Sequence, residues 1–123
     1  MPVNGLDHVN ICTDDVASSA RFYVELLDLE ARDAPGPLGA DQVQWLYDRN
    51  GQAIIHLYKF PREQGSTGVI HHVALNCSGK TKVIERLQDS GAAFDTRDDP
   101  SGASIVYTRD PHGLMLELYF PGD

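Results

Sequence analysis

The chain has 123 residues, with 18 acidic and 10 basic side chains and a formal net charge of −8. This length fits one domain with a real core, and 41% apolar and 23% charged residues are typical of a globular protein. The acidic balance argues against nucleic-acid binding, because proteins that bind the phosphate backbone concentrate Lys and Arg.

The sequence carries no signal for export or for a membrane. No apolar run approaches the roughly 20 residues of a membrane span, and residues 1–5 lack the basic and apolar regions of a signal peptide. Cys12 and Cys77 are too few for a disulfide scaffold and lack metal-finger spacing, which favours two buried thiols. We therefore expect a cytoplasmic protein that does not associate with membranes.

The first half of the chain has the pattern of a strand, a helix and three further strands. Alternating and helical apolar spacing predicts these elements at residues 5–12, 16–27, 29–32, 42–47 and 52–59. The helix is preceded by the capping sequence Thr13-Asp14-Asp15, and the last two strands are joined by the turn Asp48-Arg49-Asn50-Gly51.

The second half repeats this order. Strands are predicted at residues 69–77, 92–96, 104–108 and 114–120, with a helix between Ser78-Gly79-Lys80-Thr81 and Ser90-Gly91. We expect an α+β fold of two repeated βαβββ units in a single domain. Unit one covers about residues 1–60, a linker about 61–68, and unit two about 69–123.

Four polar residues occupy equivalent places in the two halves. His8 and His72 are 64 positions apart, each followed by Val, and His56 and Glu117 are 61 positions apart in matching apolar runs. Alternation along a strand places all four opposite the apolar residues that face the helices. We therefore predict that they project from the helix-free face of the sheet and converge.

These side chains have the chemistry of metal ligands. An ionised Glu117 between Leu116 and Leu118 is costly to bury unless a positive charge neutralises it. Any one of the four would be explained as a satisfied polar group, but the repeated set favours a metal site. Histidine and carboxylate without thiolate suit Fe(II), Mn(II), Ni(II), Co(II) or Zn(II).

Other residues share the predicted ligand-bearing face and either pack within the sheet or contact a substrate. These candidates are Asn10, Tyr58, Asn76, Met115 and Tyr119, with Trp45 or Tyr47 nearby. Together they favour a small, partly aromatic or oxygen-rich ligand. His71 has the opposite parity to His72, which favours a hydrogen-bonded structural histidine, and His112 is expected to be a solvated turn residue.

At these residues the chain resembles the vicinal oxygen chelate superfamily, which includes glyoxalase I, fosfomycin-resistance proteins, extradiol dioxygenases and bleomycin-resistance proteins. The resemblance covers nearly the whole chain. Its most specific pieces are Leu6-Asp7-His8-Val9, the first helix, His71-His72-Val73-Ala74, and Asp110-Pro111-His112-Gly113 followed by Glu117-Leu118. One departure is Asp28, where the family usually has Gly after the first helix.

The resemblance implies a cupped eight-stranded mixed sheet, usually in a homodimer, with metal ligands at His8, His56, His72 and Glu117. It implies a glyoxalase-like enzyme of lyase, isomerase or group-addition type, whose metal is chelated by vicinal oxygens of a small substrate. His56 replaces a carboxylate of glyoxalase I, so it is either a fourth ligand or a proton-transfer group.

Two alternatives remain open at this stage. The first is an Fe(II) extradiol-type ring-cleaving dioxygenase, in which Tyr107 matches a catalytic Tyr before the final turn. The second is a non-catalytic protein that sequesters a small molecule, of the bleomycin-resistance type.

Overall fold

The computed structural model describes residues 4–60 and 70–121, and within them it contains two helices and eight strands. The elements are β1 (Val9–Thr13), α1 (Val16–Leu27), β2 (Glu30–Arg32), β3 (Val43–Tyr47), β4 (Ala53–Lys59), β5 (Val73–Asn76), α2 (Lys80–Ser90), β6 (Asp95–Asp98), β7 (Ser104–Arg109) and β8 (Met115–Phe120). This order confirms the predicted α+β fold of two βαβββ units. The predicted linker at 61–68 and the predicted strand start at 69 lie outside the described residues.

The chain divides into two compact units, unit 1 (Met1–Arg62) and unit 2 (Glu63–Asp123). Each unit contains one four-stranded mixed sheet, with strand orders β1-β4-β3-β2 and β5-β8-β7-β6. In both sheets the first strand runs parallel to the last strand of its unit, and the remaining pairs are antiparallel. The two sheets therefore have the same topology, as the sequence repeat predicts. Within the described part of the chain, no helix is long and apolar enough to cross a membrane.

The core of unit 1 lies between α1 and one face of its sheet. The side chain of Asp15 caps α1 by accepting a hydrogen bond from the Ser18 N–H. The helix buries Val16, Ser19, Ala20, Tyr23 and Leu26, and the sheet buries Ile11, Val43, Leu46, Ile55 and Leu57. Burial of this apolar surface stabilises the unit and leaves the opposite sheet face for polar and aromatic side chains.

The core of unit 2 shows the same alternation most clearly on β8. Leu116, Leu118 and Phe120 are fully buried, whereas Met115, Glu117 and Tyr119 are partly exposed. The helix α2 contributes Val83 and Leu87, while Ile84 is only half-buried. Glu117 therefore lies on the face of β8 that the apolar core does not use.

The two hairpin turns are built in the same way. In each turn an Asp side chain accepts hydrogen bonds from two backbone N–H groups: Asp48 from Asn50 and Gln52, and Asp110 from His112 and Leu114. Each turn ends at a glycine with positive φ (Gly51 at +80° and Gly113 at +88°), where a side chain would be strained. These turns fix the register of the strands that carry His56 and Glu117.

Three details of the sequence prediction are corrected. The strands β1 and β5 begin at Val9 and Val73, so His8 and His72 directly precede their strands instead of lying within them. The strand β6 covers Asp95–Asp98 and not residues 92–96, because its polar sequence has no apolar alternation to mark it. Cys12 and Cys77 are half-buried, whereas the sequence predicts buried thiols.

Candidate metal centre

In unit 1 the two candidate ligands stack on each other. The ring centroids of His8 and His56 lie 3.8 Å apart with an interplanar angle of 13°. On the other side of His56, the indole of Trp45 stacks with a centroid distance of 4.1 Å and an angle of 6°. Trp45 lies opposite His56 in the β3–β4 pairing, so sheet register brings these rings together. The result is a three-ring stack in which His56 is the central and buried member.

This stack favours the neutral form of His56. Burial lowers the pKa of His56 below its ordinary value of 6.5, and the neighbouring His8 lowers the pKa further. A ring N–H of His56 donates a hydrogen bond to the backbone carbonyl of Ala53, which opposes that shift. One ring nitrogen of His56 is therefore occupied, and the other is available as a base or a ligand.

The stacking geometry separates the roles of His8 and His56. The lone pair of an imidazole nitrogen lies in the ring plane, and metal bonds to it are about 2.0–2.1 Å long. Two nearly parallel rings with centroids 3.8 Å apart cannot both direct in-plane lone pairs at one ion at that distance. In this arrangement only one of them can bind a given metal with good geometry.

The orientation of His8 is set by its neighbour in the sequence. His8 Nδ1 lies 2.8 Å from Asp7 Oδ2 and donates to it. The Gln52 side-chain amide in turn donates to the backbone carbonyl of Asp7 at 2.5 Å. These contacts occupy Nδ1 and leave His8 Nε2 as the nitrogen that can bind a metal.

In unit 2 the two candidate ligands approach each other directly. His72 Nε2 lies 4.0 Å from Glu117 Oε1, which is too long for a hydrogen bond. His72 Nδ1 lies 2.9 Å from Nδ1 of His71, so His71 is hydrogen-bonded as expected, although its partner is the candidate ligand itself. A metal bound to both groups through bonds of about 2.1 Å would bring the two atoms to about 3.0–3.4 Å, within reach of a small side-chain rotation.

Tyr107 contacts the candidate ligand Glu117. The two residues lie opposite each other on β7 and β8, and the Tyr107 hydroxyl donates a hydrogen bond to the Glu117 carboxylate. Burial, followed by this hydrogen bond, raises the pKa of Tyr107 above 10.0, so the hydroxyl keeps its proton. The guanidinium of Arg97 lies 5.8 Å from the Tyr107 ring centroid. In this geometry Tyr107 orients the carboxylate.

Each unit therefore supplies two potential donors. Among residues 4–60 and 70–121, no group of three or more His, Cys, Asp or Glu side chains is arranged to hold a metal ion. The chemistry of each pair nevertheless fits a divalent cation, with free imidazole Nε2 atoms and a carboxylate on an otherwise apolar strand. The prediction that all four donors surround one ion stays a prediction.

The candidate substrate contacts are divided between the units. Asn10, Trp45 and Tyr58 belong to unit 1, and Asn76, Met115 and Tyr119 belong to unit 2. The two Asn side chains are exposed and the other four residues are partly exposed. Of these six, Trp45 stacks on the candidate donor His56, and Asn10 lies opposite His56 in the β1–β4 pairing. The Trp45 indole Nε1 is buried without a hydrogen-bond partner in the described part of the protein.

Sequence reasoning missed the residues that support the donors. Asp7, Gln52 and Ala53 each hydrogen-bond to a candidate ligand or to its neighbour. Asp7 directly precedes His8, so its contact with His8 could have been predicted. Strand alternation, however, places neighbouring residues on opposite faces of a sheet. The Gln52 bond joins the segment before β4 to the segment before β1, and the Ala53 bond lies within β4, and no spacing rule reveals either of them.

The comparisons with known proteins define the class. Residues 5–118 match the family model of the Glyoxalase/Bleomycin resistance protein/Dioxygenase superfamily. The chain belongs to this superfamily.

Three of the proteins that are similar to this chain serve as examples. The uncharacterized protein YaeR of Escherichia coli (strain K12) is 26% identical over 119 residues, covering 91% of this chain and 92% of that protein. Lactoylglutathione lyase from Agrobacterium tumefaciens superposes with a TM-score of 0.69 at 18% identity, covering 98% and 96% of the two chains. The fosfomycin resistance protein FosX from Listeria monocytogenes superposes with a TM-score of 0.74 at 17% identity, covering 98% and 95%. At these identities the structural matches establish the fold alone.

Proposed function

We propose that this protein is a divalent-metal-dependent enzyme that acts on a small substrate with two adjacent oxygens. The observation that carries this proposal is the pair in unit 2, where His72 Nε2 lies 4.0 Å from Glu117 Oε1. Glu117 is largely buried, with 19% of its side chain exposed, and a cation would offset the cost of its charge. When bound, a divalent ion supplies Lewis-acid stabilisation of negative charge on the two substrate oxygens.

The proposed ligands are His8, His72 and Glu117. In both histidines Nδ1 is engaged by the preceding residue, which leaves Nε2 as the donor atom. Two histidines and one carboxylate leave coordination positions open for substrate, and this set suits Fe(II), Mn(II), Ni(II), Co(II) or Zn(II). We extend the proposal to a homodimer, because members of the superfamily often form dimers.

We assign His56 to proton transfer and not to the metal. Its ring is held between His8 and Trp45, and one of its nitrogens is bonded to the Ala53 carbonyl. A neutral imidazole fixed beside a ligand histidine can accept a proton from a substrate carbon or oxygen at its other nitrogen. Tyr107, the other catalytic candidate, acts in this proposal through Glu117.

The proposed reaction is of the lyase, isomerase or group-addition type. A relative named as a lactoylglutathione lyase and another named as a fosfomycin resistance protein share this fold, which supports that choice. The exposed amides of Asn10 and Asn76 and the partly exposed Tyr58, Met115 and Tyr119 are proposed substrate contacts. A cytoplasmic location is part of the same proposal.

Metal analysis of protein purified without oxygen tests the proposal. We expect about one divalent ion per chain in the wild-type protein and loss of the ion in Glu117→Gln. The apoprotein is then loaded separately with Fe(II), Mn(II), Ni(II), Co(II) and Zn(II) and assayed with hemithioacetals. Turnover that depends on the metal and on Glu117 supports the proposal, and a wild-type protein that binds none of these ions contradicts it.

A second candidate is ring cleavage by an Fe(II) enzyme. The observation that favours it is the same set of two histidines and one carboxylate, which suits Fe(II) and dioxygen. Oxygen uptake on catechols by the Fe(II)-loaded protein would support ring cleavage. Tight binding of a small aromatic compound by metal-free protein, without turnover by any loaded form, would favour a sequestration protein.

A further inference from the structure

The residue directly before each proposed histidine ligand holds the ring of that ligand. Asp7 Oδ2 lies 2.8 Å from His8 Nδ1, and His71 Nδ1 lies 2.9 Å from His72 Nδ1. The two positions, 7 and 71, are separated by the same 64 residues as the ligands themselves. Both contacts engage Nδ1 and leave Nε2 unengaged. Both units therefore have this contact to Nδ1, but the contacting group is a carboxylate in unit 1 and an imidazole in unit 2.

Asp7 and His71 differ in how strongly they constrain the histidine that they contact. An ionised carboxylate only accepts hydrogen bonds, so Asp7 fixes the proton of His8 on Nδ1 and leaves a lone pair on Nε2. A carboxylate at this place also increases the basicity of a metal-bound imidazole. A neutral imidazole both donates and accepts, so His71 holds the His72 ring without fixing its tautomer. The orientation of the ligand is therefore more strongly determined in unit 1.

A second contact secures Asp7. The Gln52 amide donates to the Asp7 backbone carbonyl, which ties the residues before β1 to the start of β4. The position equivalent to Gln52 in unit 2 is Leu114, since the backbone N–H of each residue donates to the Asp of its turn. Leu114 has no side-chain amide to make the corresponding bond. In unit 1, therefore, the Asp7 carboxylate contacts the histidine and the Gln52 amide holds the backbone of Asp7.

We propose that Asp7 is a positioning residue that orients His8 for metal binding, and that His71 serves His72 as a weaker counterpart. This inference rests on the proposed function and concerns the supporting groups of the metal. The Asp7 side chain is 85% exposed, and exposed ion pairs contribute little to folding stability. Its effect is therefore expected in metal affinity and in the tautomer of His8, and not in thermal stability.

The test measures Co(II) affinity through Trp45 fluorescence and the Co(II) ligand-field absorption. Asp7→Asn is expected to weaken Co(II) binding by about 10–100-fold, the usual effect of removing such a partner. Asp7→Glu restores part of the affinity, because it keeps the carboxylate. The charge-matched control Asp89→Asn, on the exposed surface of α2, is expected to bind like the wild type. In metal-free protein, 15N spectra of the imidazoles are expected to show that Asp7→Asn reduces the Nδ1–H form of His8.

Substitutions at position 71 are expected to change the Co(II) affinity in opposite directions. His71→Asp gives unit 2 the carboxylate of unit 1 and is expected to tighten Co(II) binding, by up to about tenfold. His71→Asn keeps a polar side chain without the charge and is expected to weaken binding. Equal Co(II) affinities in Asp7→Asn and Asp89→Asn would overturn the inference while leaving the metal site intact. A wild-type protein that binds no Co(II) would instead overturn the proposed function, and this inference with it.

Discussion

Tyr107 and Glu117 face each other across β7 and β8, and the Tyr107 hydroxyl is hydrogen-bonded to the Glu117 carboxylate. The same place in unit 1 is occupied by Trp45 and His56, which face each other across β3 and β4 and stack. Each unit therefore places an aromatic residue against the polar residue of its last strand. In one unit the aromatic residue orients a carboxylate, and in the other it covers an imidazole.

Replacing Tyr107 tests its role in orienting Glu117. We expect Tyr107→Phe to weaken Co(II) binding by about tenfold, at the lower end of the effect of removing a group that hydrogen-bonds a ligand. The hydroxyl keeps its proton well above neutral pH, so the loss is expected to be the same between pH 6 and pH 8. Tyr119→Phe, which removes a hydroxyl from the same face of β8, is the matched control. A variant that binds Co(II) normally but loses turnover would instead indicate direct catalysis by Tyr107.

His56 is expected to make the metal-free protein sensitive to acid. Its pKa in the folded state lies below the unfolded value of about 6.5, so the unfolded state binds more protons between these two values. The contribution of His56 to stability is therefore fully present above pH 6.5 and declines as the pH falls toward the folded-state pKa. The slope for one proton is at most about 1.4 kcal/mol per pH unit. Urea unfolding of metal-free protein from pH 5 to pH 8 measures this decline.

The variant His56→Phe provides the control for that experiment. It keeps an aromatic ring between His8 and Trp45 but has no titrating group. We expect its stability to decline less with acid than that of the wild type over the same range. Trp45 is the only tryptophan and stacks on His56, so its fluorescence is expected to follow His56 protonation with a midpoint below pH 6.5. Unchanged acid sensitivity in His56→Phe would assign the effect to other groups.

Asp28 offers a stability test away from the site. It ends α1 in the left-handed conformation at φ +59°, the only non-glycine residue with positive φ among the residues that the structure describes. Glycine adopts this conformation without steric cost, so Asp28→Gly is expected to stabilise the protein by about 0.5–1 kcal/mol. Asp28→Ala is expected to destabilise it, because Ala lacks the local polar contacts that help Asp tolerate this conformation. Thermal unfolding of the three proteins gives the order directly.

Much of the fold follows from patterns that depend on backbone geometry alone. The helix α1 begins and ends where the apolar stripe and the cap predict, and the turns at Asp48 and Asp110 follow from their Asp and Gly residues. Alternation on β8 places Glu117 opposite Leu116 and Leu118 in the structure. These features are local, so a single sequence contains the information that determines them.

The remaining features depend on contacts between distant residues. The parallel pairing of β5 reaches back only to Val73 opposite Leu116, so the described residues 70–72 are not part of the strand. The stacking of His56 between His8 and Trp45 depends on rotamers and on the register of two strand pairs. Sequence spacing identified Trp45 only as a residue near the ligand-bearing face. Its contact with His56 is the observation on which we base the proposed proton-transfer role of that histidine.

Metal affinity distinguishes the two possible roles of His56. Glu117→Gln removes the charged ligand and is expected to weaken Co(II) binding by more than about 100-fold, beyond the effect of losing a supporting group. His56→Gln removes a ring that we place outside the metal, so its Co(II) affinity is expected to stay within about tenfold of the wild type while turnover falls by about 10²–10⁴-fold, the usual contribution of a general base. Calorimetric titration of both variants, with Asp89→Asn as the control, measures the difference. If His56→Gln loses Co(II) as completely as Glu117→Gln, His56 is a fourth ligand and must leave the stack when metal binds.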